Sequence, residues 1–200
     1  MEITSFKKQD DKATFNVKQL PVGVINAYRR TIIEAMPVMA IEKIRVYQNN
    51  SILNDEVLAH RLGLAPLTTD VKTYNMREQC SCDYKGCGRC TTTLSLEAKG
   101  PKTVYTGDLK STDPEVKPVY ETMPLIKLSE GQEIKLEAMA VLGKGRDHIK
   151  WQAGIASYDI KKNHVEVTVE SYGQYGIDDL IKQSLQEFDK KIKEVKESIG

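Results

Sequence analysis

All four cysteines of this 200-residue chain fall within one short stretch, QCSCDYKGCGRC, residues 79–90. They are spaced C-x-C-x4-C-x2-C as Cys80, Cys82, Cys87 and Cys90. Thiolates are soft ligands, and four of them suit one zinc ion in a closed tetrahedral site. Such a site is structural, since no coordination position is left open for catalysis. The second half, Cys87-Gly88-Arg89-Cys90, has the form of a zinc-knuckle turn. Gly86 and Gly88 allow the backbone to fold tightly around an ion, and Lys85 and Arg89 would offset the charge of four thiolates. Four thiolates also suit an iron–sulfur cluster, a less favoured reading, and disulfides or free thiols stay open behind it. A redox CxxC site is poorly supported, because no βαβ pattern surrounds the pair. A nucleophilic cysteine lacks a nearby His to act as its base. The stretch reads as a metal staple for a loop with little core of its own.

Other chemistry is sparse. His60, His148 and His164 sit at no ligand or triad spacing. No P-loop occurs. The segment GKGRDH begins G-x-G but lacks a third glycine, so a dinucleotide site is not expected. Asp55, Glu56, Asp178 and Asp179 form no metal cradle, and the last two read as favourable charges at a helix N-terminus. No catalytic site is expected in this chain. Lys+Arg 29 against Asp+Glu 28 leaves a net charge of +1. That speaks against a stand-alone zinc-stapled nucleic-acid-binding protein, the chief alternative function, which should be basic. A redox or iron–sulfur sensor is a third. The first residues hold no apolar signal segment, and no apolar run approaches the roughly 20 residues of a membrane span. The expected location is cytoplasmic, where stable disulfides are rare.

The elements that must position these residues can be read from periodicity. Ile3, Phe6, Ala13, Phe15 and Val17 flank polar KKQDDK and predict a β-hairpin over 1–19. Val24, Ala27, Tyr28, Ile32, Ala35 and Met36 predict a helix over about 22–36, ended by Pro37. Ile41, Ile44 and Val46 predict a strand. A helix then starts at Asn54 or Asp55, with Val57, Leu58, Arg61 and Leu62 on one face and Gly63 as a left-handed stop. Strands are expected at TTTLSLEAK, PLIKL and QEIKLEAMAVLG, and a short one within 101–120. GKGRDHIKW reads as a loop, and IASYDI with HVEVTVESYG as a second hairpin. Ile177, Ile181, Leu185, Phe188, Ile192, Val195 and Ile199 then form one apolar stripe on a long helix whose opposite face is charged. Such a stripe packs either on this chain's own sheet or on another chain's helices. Its length and nearly heptad spacing favour the second.

Several stretches together resemble the α-like subunits of multisubunit RNA polymerases, in the archaeal D-type branch. NAYRRTIIEAMPVMAI resembles the first helix of that family, DEVLAHRLGLAPL and GKGRDHIKWQ resemble two further signatures, and GIDDLIKQSLQEF resembles the closing helix. The match runs through almost the whole chain in order. The resemblance implies an α+β fold: a discontinuous dimerisation domain, 1–41 and 153–200, with an inserted mostly-β domain, 42–152, that contains the four-cysteine loop (79–90).

The resemblance also implies a function without chemistry of its own. Family members are assembly subunits of the DNA-directed RNA polymerase complex and meet DNA only through it. They pair with a smaller α-like subunit, L in archaea, then recruit small subunits N and P and the two large catalytic subunits. No membrane is involved. On this chain the pairing face would include Val24, Tyr28, Ile32, Met36, Ile181, Leu185, Phe188, Ile192 and Val195. Arg29 and Arg30, with His60 and Arg61, would face the second-largest subunit, although a solvated helix face explains the two arginines equally. Residues 143–151 offer another subunit contact, unless Trp151 is simply core. The cysteine run resembles the zinc loop of the eukaryotic counterpart, with one extra residue in the middle. Some archaeal relatives carry a ferredoxin-like domain with iron–sulfur clusters; this chain is too short for it and lacks its cysteines.

Overall fold

A computed structural model describes residues 2–199. In chain order the elements are β1 (Glu2–Gln9), β2 (Lys12–Lys18), α1 (Val22–Glu34), β3 (Pro37–Asn49), α2 (Asp55–Gly63), β4 (Thr92–Lys99), β5 (Lys102–Tyr105), β6 (Lys110–Ser111), β7 (Pro124–Leu128), β8 (Glu133–Lys144), β9 (Gly154–Ile160), β10 (Val165–Ser171) and α3 (Ile177–Ile199). Helices and antiparallel sheets are thus mixed, and the fold is α+β. The chain forms two compact units: residues 1–37 with 144–200, and residues 38–143. Their joints fall at the ends of β3 and β8, somewhat upstream of the joints drawn from sequence, because each strand runs on without a break.

The first unit is a four-stranded sheet, ordered β1-β2-β10-β9, with two helices. The hairpin β1–β2 turns at Asp10, whose φ of 50° is tolerated because Asp reaches the left-handed region more readily than most residues. Alternation then places Ala13, Phe15 and Val17 of β2 and Val165, Val167 and Val169 of β10 on the buried side. Helix α1 lies on β9 and against α3. It buries Ile25, Tyr28, Thr31 and Ile32. Asp178 and Asp179 stand in the first turn of α3, where negative charge meets the helix dipole, and Asp178 also pairs with Lys8.

The second unit has a sheet ordered β3-β8-β4-β6 and a ribbon β5-β7. Strands β4 and β8 pair so that Leu94 faces Ala138, Leu96 faces Leu136 and Ala98 faces Ile134. These pairs are buried together with Met39 and Ile41 of β3, Leu58 and Leu62 of α2, and Val104, Ile126 and Leu128 of the ribbon. One contiguous core therefore supports the unit.

Helix α2 corrects the expected face and stop. Leu58 and Leu62 are buried, whereas Val57 and Arg61 are exposed. Gly63 belongs to the helix and is buried, and the C-cap is Leu64 with φ −84°. The stop comes from Pro66, which has no N–H and disfavours helix in the residue before it. No described helix is long and apolar enough to cross a membrane.

Candidate metal centre and partner-binding face

Cys80 follows a single 3-10 turn, Arg77–Gln79, and Cys90 stands just before β4, so both ends of the cysteine loop are held by regular structure. Across the base of the loop, the Asn75 N–H donates to the Arg89 carbonyl at 2.8 Å. The N–H of Lys85 reaches the Cys82 carbonyl at 3.1 Å, and those of Cys90 and Thr91 reach the Cys87 carbonyl at 3.0 and 2.9 Å. These turns gather the cysteines into one place. Gly86 takes φ 81°, the left-handed conformation the sequence suggests for it; Asp83 and Tyr84 take φ 48° and 62° as well. Gly88 is not in that region, and a Cβ there would meet nothing within 4 Å, so its lack of a side chain is not required by the local geometry.

The four Sγ atoms lie within 4.8 Å of one another. Cys80 and Cys87 are 3.5 Å apart, Cys82 and Cys90 3.6 Å, and Cys87 and Cys90 3.9 Å. A tetrahedron with metal–sulfur bonds of roughly 2.3 Å has edges of about 3.8 Å. The arrangement can therefore hold a metal ion, and all four cysteines are free rather than disulfide-bonded. Cys80 and Cys90 are buried, while Cys82 and Cys87 are half-buried. The crowd of thiols splits their acidities. Although the backbone N–H of Cys82 favours the Cys80 thiolate, its neighbouring thiols outweigh this and push it up to about 12. Burial works against the Cys90 thiolate, yet the Cys87 N–H at 3.4 Å and the Thr91 hydroxyl bring it down to about 7.

The second candidate is the surface between α1, α3 and β1. The apolar stripe on α3 starts in the core and emerges from it. Ile177 is buried, Ile181 and Phe188 are half-buried, and Leu185, Ile192, Val195 and Ile199 are exposed. The helix buries a different line, Ile177, Leu180 and Ser184. Phe188 meets Tyr28 edge-on, with ring centroids 5.9 Å apart. On β1, Ile3 and Phe6 are each 53% exposed, and Phe6 stacks on Phe15. A hollow of about 310 Å³ between them, reaching Val24 and Leu185, has a wholly apolar lining. A second groove, about 500 Å³, runs beside it between Val24, Ala27 and Arg30 of α1 and Phe188, Ile192 and Val195 of α3.

Several expected contact residues have other occupations. Ile32 and Met36 are fully buried, and Tyr28 nearly so, which leaves the first two no surface to offer. Ile32 belongs to the unit's own core because α1 lies on β9 with that face inward, and Met36 is buried in the short link between α1 and β3. Arg30 makes a two-pronged pair with Glu34 at 3.1 Å, and Arg29 donates to the side-chain carbonyl oxygen of Asn26 at 3.0 Å. Arg61 donates to the Pro124 carbonyl at 3.0 Å, while His60 is exposed. Trp151 is half-buried under Lys150, whose Nζ lies 4.4 Å from the ring centroid. Ser184 is a buried contact that apolar periodicity passes over, and Arg77, whose guanidinium reaches under the cysteine loop, is another that spacing does not reveal.

Residues 43–161 match the family model for the RNA polymerase Rpb3/RpoA insert domain. The chain belongs to this Rpb3/RpoA insert-domain family. Among its relatives is a DNA-directed RNA polymerase subunit Rpo3 from Pyrococcus furiosus, 45% identical over 158 residues, or 79% of this chain and 58% of the relative. The Rpo3 of Methanosarcina mazei is 42% identical over 173 residues, covering 86% of this chain and 64% of the relative. That of Pyrobaculum aerophilum is 47% identical over 144 residues, 71% of this chain and 55% of the relative. The chain thus spans less than two thirds of the length of these Rpb3/RpoA-family relatives.

Proposed function

We propose that this chain is a non-catalytic assembly subunit of a DNA-directed RNA polymerase, of the archaeal D type. The observation that carries the reading is the uncovered apolar face of the first unit. Leu185, Ile192 and Val195 on α3 continue the surface of Ile3 and Phe6 on β1. Patches of this kind on a folded chain mark interaction sites, and obligate subunit interfaces resemble a core cut in half. The first unit then serves as a dimerisation domain and the second as its insert. The smaller α-like subunit L covers the face, helix against helix, in a heterodimer. That pair receives small subunits N and P and nucleates assembly of the two large subunits, which perform the nucleotide chemistry. Arg29, Arg30, His60 and Arg61 supply polar contacts to the second-largest. DNA is reached only through the complex, which is cytoplasmic; four free cysteines fit a reducing compartment.

The metal of the second unit is read as one structural zinc ion. In an iron–sulfur cluster the thiolates bind different irons with sulfides between them, which spreads the sulfurs apart. Four sulfurs within 4.8 Å instead suit a single ion.

Native mass spectrometry of the chain alone, and after co-expression with an archaeal L subunit, tests both statements. The expected result is a one-to-one heterodimer carrying one zinc. A stable monomer that ignores L sinks the assembly role, and iron in place of zinc overturns the metal assignment.

A further inference from the structure

Arg77 lies three residues before the first cysteine. Its Nη2 reaches to 3.7 Å from the point a Cβ on Gly86 would occupy, inside the loop that joins Cys82 to Cys87. The hydroxyl of Thr91 lies 3.4 Å from the same point, and that hydroxyl lies 3.6 Å from the Cys90 sulfur. The guanidinium therefore sits beneath the left-handed turn that closes the centre.

Its partners are inadequate for a charged group with five N–H donors. Nη2 meets the thioether of Met139 at 3.8 Å, a weak acceptor. Nε is buried and has no hydrogen-bond partner at all. No carboxylate forms an ion pair with Arg77 among the described residues. A cation with a buried, unpartnered N–H carries a cost that an accompanying anion relieves. Lys85 and Arg89, the cations that sequence places inside the loop, are exposed and largely hydrated.

A divalent ion held by four thiolates is a dianionic centre. We propose that Arg77 is the charge partner of this centre: its half-buried guanidinium stabilises the loaded tetrathiolate site, and the exposed Lys85 and Arg89 do not. The inference rests on the metal-centre reading above. Arg77 is a positioning residue, acting on the ion through the sulfurs and the Gly86 turn. The partner that its guanidinium lacks arises when the metal binds and the thiols lose their protons. Partners one shell out from a metal commonly change affinity by about 10- to 100-fold when removed.

The test is zinc competition against a chromophoric chelator, using the full chain. Arg77→Met keeps length and apolar bulk beside Met139 but removes the charge; it is expected to weaken zinc binding about tenfold with the one-to-one stoichiometry intact. Arg77→Lys restores the charge and is expected to stay within about threefold of wild type, a rescue that a purely packing role would not produce. The double variant Lys85→Gln/Arg89→Gln is expected to stay within about twofold, since exposed charges are screened. Should Arg77→Met fail to fold, Arg77→Gln replaces it with the same expectation. Unchanged affinity in Arg77→Met or its replacement overturns this inference and leaves the metal centre standing. Equal weakening in Arg77→Lys and Arg77→Met assigns the residue to packing and overturns it as well. A wild-type chain that takes up no zinc sinks the zinc centre and the charge pairing together.

Discussion

The hydroxyls of Tyr28 and Ser184 lie 2.9 Å apart, buried between α1 and α3 and separated by 156 positions in the chain. Ser184 also donates to the Ile181 carbonyl at 2.8 Å, so its remaining role is to accept from Tyr28. Burial is the main reason the Tyr28 hydroxyl is held above its ordinary pKa, with the Ser184 contact pulling the other way. The phenol is therefore a neutral donor at any working pH. Removing either hydroxyl is not symmetric. Tyr28→Phe deletes the donor and leaves Ser184 bonded to its own helix, costing about 1 kcal/mol. Ser184→Ala strands a buried phenol hydroxyl and costs about 2 kcal/mol. Urea denaturation of the two variants checks the order; a larger loss in Tyr28→Phe would contradict it.

The exposed part of the α3 stripe predicts a separation between folding and pairing. Leu185 and Val195 are 53% and 57% exposed, so an aspartate at either position is hydrated in the isolated chain. Leu185→Asp and Val195→Asp should each change stability by no more than about 0.5 kcal/mol. In a pairing interface the same charge is buried without a partner, and affinity for an L-type subunit should fall by at least about tenfold. Co-purification and thermal melting, read side by side, decide. Loss of pairing accompanied by an equal loss of fold would remove the case for this face.

What could be read beforehand follows from what burial demands of neighbours in sequence. Leu94, Leu96 and Ala98 alternate because β4 has one wet side, and the pattern is visible in eight residues. The α3 stripe is visible for the same reason, yet it predicts the exposed line better than the buried one. Ser184 is hidden from apolar periodicity because it is polar, and it enters the core with its hydroxyl satisfied by the Ile181 carbonyl and by Tyr28. The four cysteines announce themselves by spacing. Arg77 does not, since its orientation depends on Gly86 and Met139 rather than on its own neighbours. Gly63 misleads because the glycine signal is local, whereas Pro66 three residues on provides the stop.

Gly145 marks a close approach that a side chain would break. A Cβ there would fall 2.0 Å from the Ile33 carbonyl oxygen, next to the bond from the Arg146 N–H to the Glu34 carbonyl at 3.1 Å. Backbone must shift to admit it, so Gly145→Ala should cost about 3 kcal/mol. Gly23 is the control. It lies in the first turn of α1 with nothing within 4 Å of its Cβ position, and Gly23→Ala should be neutral or stabilising by up to about 1 kcal/mol. Chemical denaturation of the pair gives the answer, and similar midpoints for both would refute the clash.

Cys90 should be the least replaceable of the four ligands. It is fully buried, lies 3.6 Å from Cys82 and 3.9 Å from Cys87, and accepts the Cys87 N–H at 3.4 Å. In Cys90→Ser a hard hydroxyl that stays protonated replaces a soft thiolate, and only three ligands remain. Bound zinc, measured by elemental analysis after passage over a chelating resin, should fall below about a tenth of the wild-type content. The unit itself should stay folded, unlike a zinc finger that melts without its ion. The reason is its core: Leu94, Leu96, Leu136 and Leu58 are buried together without any contribution from the cysteine loop. Only the loop should loosen, and trypsin reports it by cutting at Lys85 and Arg89, both exposed, while β4 and β8 stay protected. Full retention of zinc would remove Cys90 from the ligand set, and collapse of the whole β unit would show that the ion supports far more of the fold than its loop.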